Sequence, residues 1–364
     1  MDVAERMGIM PHIREAATGV TDLSFVNATG RRVGRINMRA LQGAVGSREV
    51  ELSRRSDLVS ILYEASRDHA EFMFHDSIVA LSQDESGVNV TFDRAQSRRF
   101  DLVIGADGLH STVRRLAFGM ESDFVQHMGF YVATMTLNDP NEHGRELVIH
   151  NTPGRIVAIH PSHGAMAFFM FRSPAVPDFG SHDTAQHKRL LAAAFADGSW
   201  RVPELLNRMH TADDFYFDSV SRVSLPQWSH HRVALLGDAA SCVSLLGDGS
   251  SLAIAGAFTL AEALAASPGD HRLAFHRYES RHRTLVGPKQ RNIARVASLL
   301  VPATQRGILA RNLATRLWPM LAAAGWLTRH IAPRAGGFDA LAEDFGHDHD
   351  VFTIADHRGC GGVA

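Results

Sequence analysis

Residues Arg232 to Ala266 read RVALLGDAASCVSLLGDGSSLAIAGAFTLAEALAA, and this stretch decides the architecture. Val233 to Leu236 is a short continuous apolar run, the pattern of a strand buried on both faces. Gly237 lets the chain turn sharply, and Asp238 sets a carboxylate at the carboxyl end of that strand. Ser241 to Leu246 reads as a loop. Gly247, Asp248 and Gly249 form a second corner, and Ser250 or Ser251 caps the helix that follows. Leu252, Ile254, Ala255, Phe258, Leu260, Ala261 and Leu264 supply the apolar positions of that helix. Such an arrangement offers a ligand an acceptor carboxylate for a hydroxyl, together with free N–H groups at the positive end of a helix dipole. The same residues also make an ordinary βα unit in which Asp238 merely caps a turn.

Composition narrows the class. The chain has 364 residues, enough for two domains with substantial cores, and its 45% apolar and 21% charged content is that of a globular protein. A net charge of −2 gives no reason to expect nucleic acid as a partner. Cys242 and Cys360 form no CxxC and offer no disulfide framework, which fits a reducing, cytoplasmic setting. No run approaches the roughly 18 apolar residues of a membrane span. His347, Asp348, His349, Asp350 and His357 read as a solvated tail rather than a metal site.

Outward from the opening stretch, residues 1 to 9 read as a helix fragment ended by Gly8. Leu23–Val26 and Val33–Ile36 flank Asn27-Ala28-Thr29-Gly30 as a hairpin. Ser56 and Asp57 start a helix carrying Leu58, Val59, Ile61, Leu62 and Ala65. Phe72–Leu81 and Val88–Phe92 read as strands, and Asp101–Ile104 as another, buried one. That last strand runs into Gly105-Ala106-Asp107-Gly108-Leu109-His110-Ser111-Thr112-Val113-Arg114. From Phe124 to Arg172 the texture is of antiparallel strands: 130–137, 147–150, 155–160 and 166–172. Tyr131, Met135, Phe168, Met170 and Phe217 are either pocket-lining or core residues there. Residues 184 to 210 are helical, 215 to 220 return as a strand, and a long helical region runs from His271 to about Arg329, broken near Pro302 and Pro319.

Two of these motifs carry a resemblance. GDAA followed by GDGSSLAIAGA, and the pattern D-x-x-I-G-A-D-G-x-x-S-x-V-R from Asp101 to Arg114, resemble the FAD-dependent aromatic-ring monooxygenases with the p-hydroxybenzoate hydroxylase fold. They are similar to the tetracycline-inactivating flavin monooxygenases within that group. The resemblance implies an α/β fold: a Rossmann-like FAD-binding domain with an antiparallel substrate sheet and C-terminal helices. Residues 1–122 would be the first part of the FAD-binding domain, 123–222 the substrate domain, 223–270 the second FAD-binding part and 271–364 the C-terminal region and tail. It implies that Asp238 binds the ribityl chain, that the Gly249–Ser250 backbone faces the pyrimidine edge of the isoalloxazine, and that Gly237 belongs to the same cofactor-binding motif. Asp107 and Gly108 would lie near the FAD pyrophosphate and the NAD(P)H approach. Arg55, in an R-x-D-L setting, would reach the pyrophosphate, with Arg54 as its competitor.

The activity so implied is hydroxylation of a small aromatic or polyketide-like substrate with NAD(P)H and O₂, through a flavin C4a-hydroperoxide. Because the cofactor supplies that chemistry, no side-chain nucleophile is needed; His110, His160 and Tyr131 are conceivable proton carriers. The family's opening GxGxxG unit has no counterpart, so the expectation is a chain N-terminally truncated relative to the family pattern. Leu245 stands where many relatives have proline, and Asp248 where many have Gln or Glu. Two alternatives stand beside the leading one. One is a non-catalytic fragment unable to hold FAD. The other is a flavin-dependent halogenase, disfavoured because Trp200, Trp228, Trp318 and Trp326 are scattered.

Overall fold

In a computed structural model of the chain, residues 2–38, 55–138, 144–161, 164–242 and 248–314 are described. Arg54, Leu245, Gly247, Trp318, Pro319, Trp326, Cys360 and the histidine-rich tail lie outside them. The N-terminal helix fragment is two helices, α1 (Asp2–Arg6) and α2 (Met10–Glu15). The hairpin follows as β1 (Asp22–Val26) and β2 (Arg32–Asn37), and then α3 (Arg55–Ser66). Next come β3 (Ile78–Gln83), β4 (Val88–Phe92), β5 (Arg98–Phe100), β6 (Val103–Gly105) and α4 (Thr112–Ala117). A single 3-10 turn (Glu121–Asp123) leads into β7 (Val125–Thr136), β8 (Glu146–Thr152), β9 (Arg155–His160) and β10 (Met166–Arg172). The remainder is α5 (Thr184–Ala194), α6 (Val202–Met209), β11 (Tyr216–Val223), β12 (Ser229–His230), β13 (Val233–Leu235), α7 (Asp238–Ser241), α8 (Asp248–Ala265) and α9 (His271–Leu300).

Three sheets result, in the mixed α/β arrangement expected. The largest has seven strands in the order β11-β7-β10-β9-β8-β1-β2. Alternation builds it. Along β10, Ala167, Phe169 and Phe171 point to one core and Phe168 and Met170 to the other, as the period of two requires. The first face is closed by Leu191 and Phe195 from the α5 segment and by Val202, Leu205 and Met209 of α6. The second carries Phe25, Phe130, Ile149, Met170 and Val220 and meets Ala297 of α9 and Val301 just beyond it. The hairpin forms around Asn27, whose Oδ1 accepts from the backbone N–H groups of Thr29 and Arg31. It joins this sheet, because β1 pairs in parallel with β8.

The other sheets are β3-β4-β5 and β12-β13-β6. Strand β3 begins at Ile78, later than the apolar run from Phe72 suggests. Asp76 accepts from the N–H groups of Ser77, Arg94 and Ala95, which bends the chain there. Phe72 and Phe74 instead lay their rings 4.9 and 5.8 Å from that of Tyr63. Helix α8 starts at Asp248, so Ser250 and Ser251 lie inside its first turn and do not cap it. Helix α9 runs through Pro288 and stops at Leu300, just before Pro302. No described helix is long and apolar enough to cross a membrane.

Around β13 and β6 lies a third core, which includes Val103, Val113, Trp228, Val233, Leu235, Phe275 and Tyr278. His282 of α9 is buried within it, stacked 5.9 Å from the Tyr278 ring, and burial pulls its pKa below the usual 6.5. A histidine with a depressed folded pKa takes up its proton more readily unfolded. Stability is therefore expected to fall as pH drops below about 6.5, by up to about 1.4 kcal/mol per pH unit for this group. Urea unfolding between about pH 7.5 and pH 5 should show the decline, with the slope shallower in His282→Phe; an equal slope in both proteins would exclude this source.

Candidate cofactor and substrate site

The two aspartate–glycine corners meet because their strands are neighbours. Strands β6 and β13 run parallel, with Val103 opposite Val233 and Gly105 opposite Leu235. The N–H of Leu236 donates to the Gly105 carbonyl at 2.8 Å. Both chains therefore leave the sheet at the same edge, where open α/β sheets place their ligands. At the first corner Gly108 has φ +81°, and a Cβ added there would meet nothing within 4 Å. Asp107 faces its own helix: Ser111 Oγ donates to one carboxylate oxygen and the Val113 N–H to the other at 3.0 Å. Ser111 in turn caps α4 by accepting from the Arg114 N–H at 2.9 Å. The side chain of Asp107 thus holds the loop, and the backbone at Gly108 is what the corner presents.

At the second corner Gly237 has φ +61° and ψ −138°, and Asp238 is the first residue of α7. A Cβ built on Gly249 would lie 3.7 Å from Asp238 Oδ1, so the two glycine corners of the opening stretch fold onto one carboxylate. Ser250 is exposed on the first turn of α8. Arg55 is the first residue of α3, and its side chain is outside what is described.

Arg114 ties the corners together. Its guanidinium is fully buried and donates from Nη1 to the Ala239 carbonyl at 3.0 Å and from Nη2 to the Leu109 carbonyl at 2.6 Å. Glu121 Oε2 stands 3.9 Å from Nη2 as counter-charge. Burial lowers the arginine pKa, yet a guanidinium stays charged at any working pH.

His110 extends the network to the large sheet. Nδ1 is 2.9 Å from Glu121 Oε1 and Nε2 is 3.2 Å from Asp218 Oδ1, on β11. Asp218 also accepts from Tyr216 Oη at 3.2 Å. Hydrogen bonding to Asp218 first, then to Glu121, raises the His110 pKa to about 9. Nothing local in the sequence marks Asp218 or Glu121. The other conceivable proton carriers are placed differently. Tyr131 is buried, its hydroxyl accepting from the Val176 N–H at 2.9 Å, and His160 is buried on β9. The five suggested pocket residues divide between faces. Tyr131, Met135 and Phe217 sit in the core under α5 and α6, whereas Phe168 and Met170 lie on the opposite face, which Asp218 shares through its pairing with Val132. They cannot line one cavity together, because strand alternation separates them. Among the described residues no cluster of three or more His, Cys, Asp or Glu forms a metal site.

The chain and its fold have counterparts among known proteins. Residues 1–284 match the family described as FAD binding domain. A flavin-dependent monooxygenase of Legionella longbeachae is 34% identical over 295 residues, 79% of this chain and 74% of that protein. An uncharacterized protein of Mycobacterium tuberculosis is 38% identical over 285 residues, 77% and 76% of the two chains. The crystal structure of tetracycline destructase Tet(51) superposes with a TM-score of 0.74 at 29% identity, covering 86% of this chain and 82% of that one. The chain belongs to the FAD binding domain family, among the FAD-dependent aromatic-ring monooxygenases.

Proposed function

We propose that FAD is held where the β6 and β13 corners meet, and that the enzyme hydroxylates an aromatic or polyketide-like small molecule with NAD(P)H and O₂ in the cytosol. The observation that carries this is the side-by-side exit of Asp107-Gly108 and Gly237-Asp238 from parallel neighbouring strands. The residues suit the group. Open space at Gly108 admits a ligand where a side chain would project, and the Asp238 carboxylate beside Gly249 is an acceptor for a polyol hydroxyl. Backbone N–H groups of Gly249 and Ser250, at the start of α8, suit an anionic edge of the ring system. Arg55 is assigned to the pyrophosphate.

Bound there, FAD would supply the redox chemistry that couples NAD(P)H oxidation to transfer of one oxygen atom of O₂ to the substrate, the other leaving as water. The chain's own part is to orient and to exclude water. On the large sheet, Val132 and Phe168 are half-buried on the face shared with Asp218, and they are assigned to the substrate wall. A fused-ring substrate bearing phenol or enol oxygens is favoured by the likeness to tetracycline destructases.

The test is titration of purified protein with FAD, followed by flavin fluorescence, and then NAD(P)H oxidation by the loaded protein. Asp238→Ala is expected to weaken FAD binding by a factor on the order of ten to a hundred, the loss of one or two hydrogen bonds to a polar ligand. Unchanged affinity would remove Asp238 from the site; no fluorescence change in the wild type would remove the site itself.

A further inference from the structure

The network around His110 joins elements that the sequence keeps far apart. The histidine follows the Asp107-Gly108 corner by two residues, Glu121 belongs to the 3-10 turn, and Asp218 sits on an edge strand of the large sheet. We propose that His110 is a positioning residue: donating to Glu121 and Asp218 at once, it fastens the cofactor corner to the substrate sheet and so sets where substrate stands relative to cofactor. The cofactor half of this inference rests on the flavin reading above.

Three features favour the assignment. First, only the doubly protonated ring can donate from both nitrogens; a neutral imidazole has one N–H and must release one carboxylate. Second, the more buried of the two partners is Asp218, with 13% of its side chain exposed, so release there leaves a poorly solvated charge. Third, Glu121 also faces Arg114, which donates to both corners, so its partner's state reaches the second aspartate–glycine turn through one guanidinium.

The groups facing the ring come from every element around it. In contact with it are Glu121 of the 3-10 turn and Asp218 of β11; Arg114 of α4 stands behind Glu121, Tyr216 behind Asp218, and Asp107 on its own loop is turned to Ser111 and Val113. Without the proton on His110, Glu121 still faces Arg114 at 3.9 Å, whereas Asp218 retains only neutral donors, the Tyr216 hydroxyl and the Ser219 N–H. The sign of the pH response follows. A histidine with a raised folded pKa contributes fully below its unfolded value near 6.5, and the contribution disappears as pH rises through about 9. The fastening therefore holds at neutral pH and loosens in mild alkali. Because errors of about 1 Å in placement cost around a hundredfold in rate, a loosened seam would reach the chemistry without touching it.

The test needs no cofactor at first. Amide hydrogen exchange on the protein alone reads the protection of residues 105–113 and of 216–220 at about pH 7.5 and again at about pH 10. In the wild type both segments are expected to lose protection together across that range, by about tenfold after correction for intrinsic exchange. His110→Gln should show the loosened level in both segments at the lower pH and no further change. His110→Lys, which keeps a cation above pH 9, should restore protection and move the loss upward. Asp218→Asn, nearly isosteric, keeps the test open should a His110 variant fold poorly, and should loosen the same two segments.

FAD added as a probe then reports the functional half: about tenfold weaker binding is expected in His110→Gln, with the alkaline weakening of the wild type abolished. Segments that respond independently, or an alkaline loss unchanged in His110→Gln, would overturn the fastening. A wild type that binds no FAD defeats the flavin reading and the functional half, while the exchange data still decide the seam.

Discussion

Replacing Arg114 with methionine is expected to lower stability by roughly 3 kcal/mol or more and to abolish measurable flavin binding at micromolar cofactor. The argument begins with burial. The guanidinium is fully enclosed, and its two terminal nitrogens donate to the carbonyls of Ala239 and Leu109, one in each aspartate–glycine corner. Methionine fills much of the volume but leaves both acceptors without their donor, at about 1–3 kcal/mol for each buried group. Glu121 loses its nearest guanidinium as well. A drop of several degrees in the melting midpoint should follow, since about 1 kcal/mol corresponds to roughly 2–4 °C in a chain somewhat smaller than this one. Lysine is the informative control. It preserves the charge but ends in a single nitrogen, whereas the two carbonyls are met by a planar fork. Arg114→Lys should therefore resemble Arg114→Met more than the wild type. A lysine variant of normal stability and normal FAD affinity would show that charge, not the bridge, matters.

That bridge also marks where sequence reasoning stops. Both corners are legible as strand-to-turn exits, because a short apolar run ending in Gly-Asp or Gly-Ala-Asp-Gly stops a strand and turns the chain; their likeness to a family motif, not the turn itself, points to a ligand. The extended, β-former-rich texture of 166–172 likewise reads as a strand, and the structure has it. What a local pattern cannot carry is partnership. Nothing near Leu23 announces that β1 will run parallel to β8, more than a hundred residues on. Nothing near Asp218 announces His110. The apolar run beginning at Phe72 misleads for a related reason: Phe72 and Phe74 stack on each other and meet Tyr63 edge-on, and the strand starts later. Pro288 is the opposite case. It should break a helix at about 3 kcal/mol, yet α9 continues, with Val286 and Ile293 buried on either side of it. Packing of the helix against two cores outweighs the local penalty. Tyr131, Met135, Met170 and Phe217 are core residues, one of the two uses open to large apolar groups in such strands, but which of two cores each one joins depends on pairing across the sheet.

Gly237→Ala should have the second large effect, and its comparison with Gly249→Ala separates folding from binding. At φ +61° and ψ −138°, Gly237 occupies a region that residues with a Cβ almost never enter. An added Cβ would also stand 3.3 Å from the Cβ of Ala253, so α8 would have to give way. Strain of this kind costs on the order of 1–3 kcal/mol, and it falls on the turn that aims Asp238. Lower thermal stability and lost FAD affinity are expected together. Gly249 differs on both counts. It lies in the first turn of a helix, where Gly→Ala contributes up to about 1 kcal/mol of stability. Its added Cβ would make an ordinary 3.7 Å contact with Asp238 Oδ1. Gly249→Ala should therefore fold as well as the wild type or better, while a methyl group beside the acceptor carboxylate weakens FAD binding by roughly tenfold. Paired melting curves and fluorescence titrations decide it. If Gly249→Ala binds FAD normally, the ligand does not approach Asp238 past this glycine, and the carboxylate acts on the turn alone.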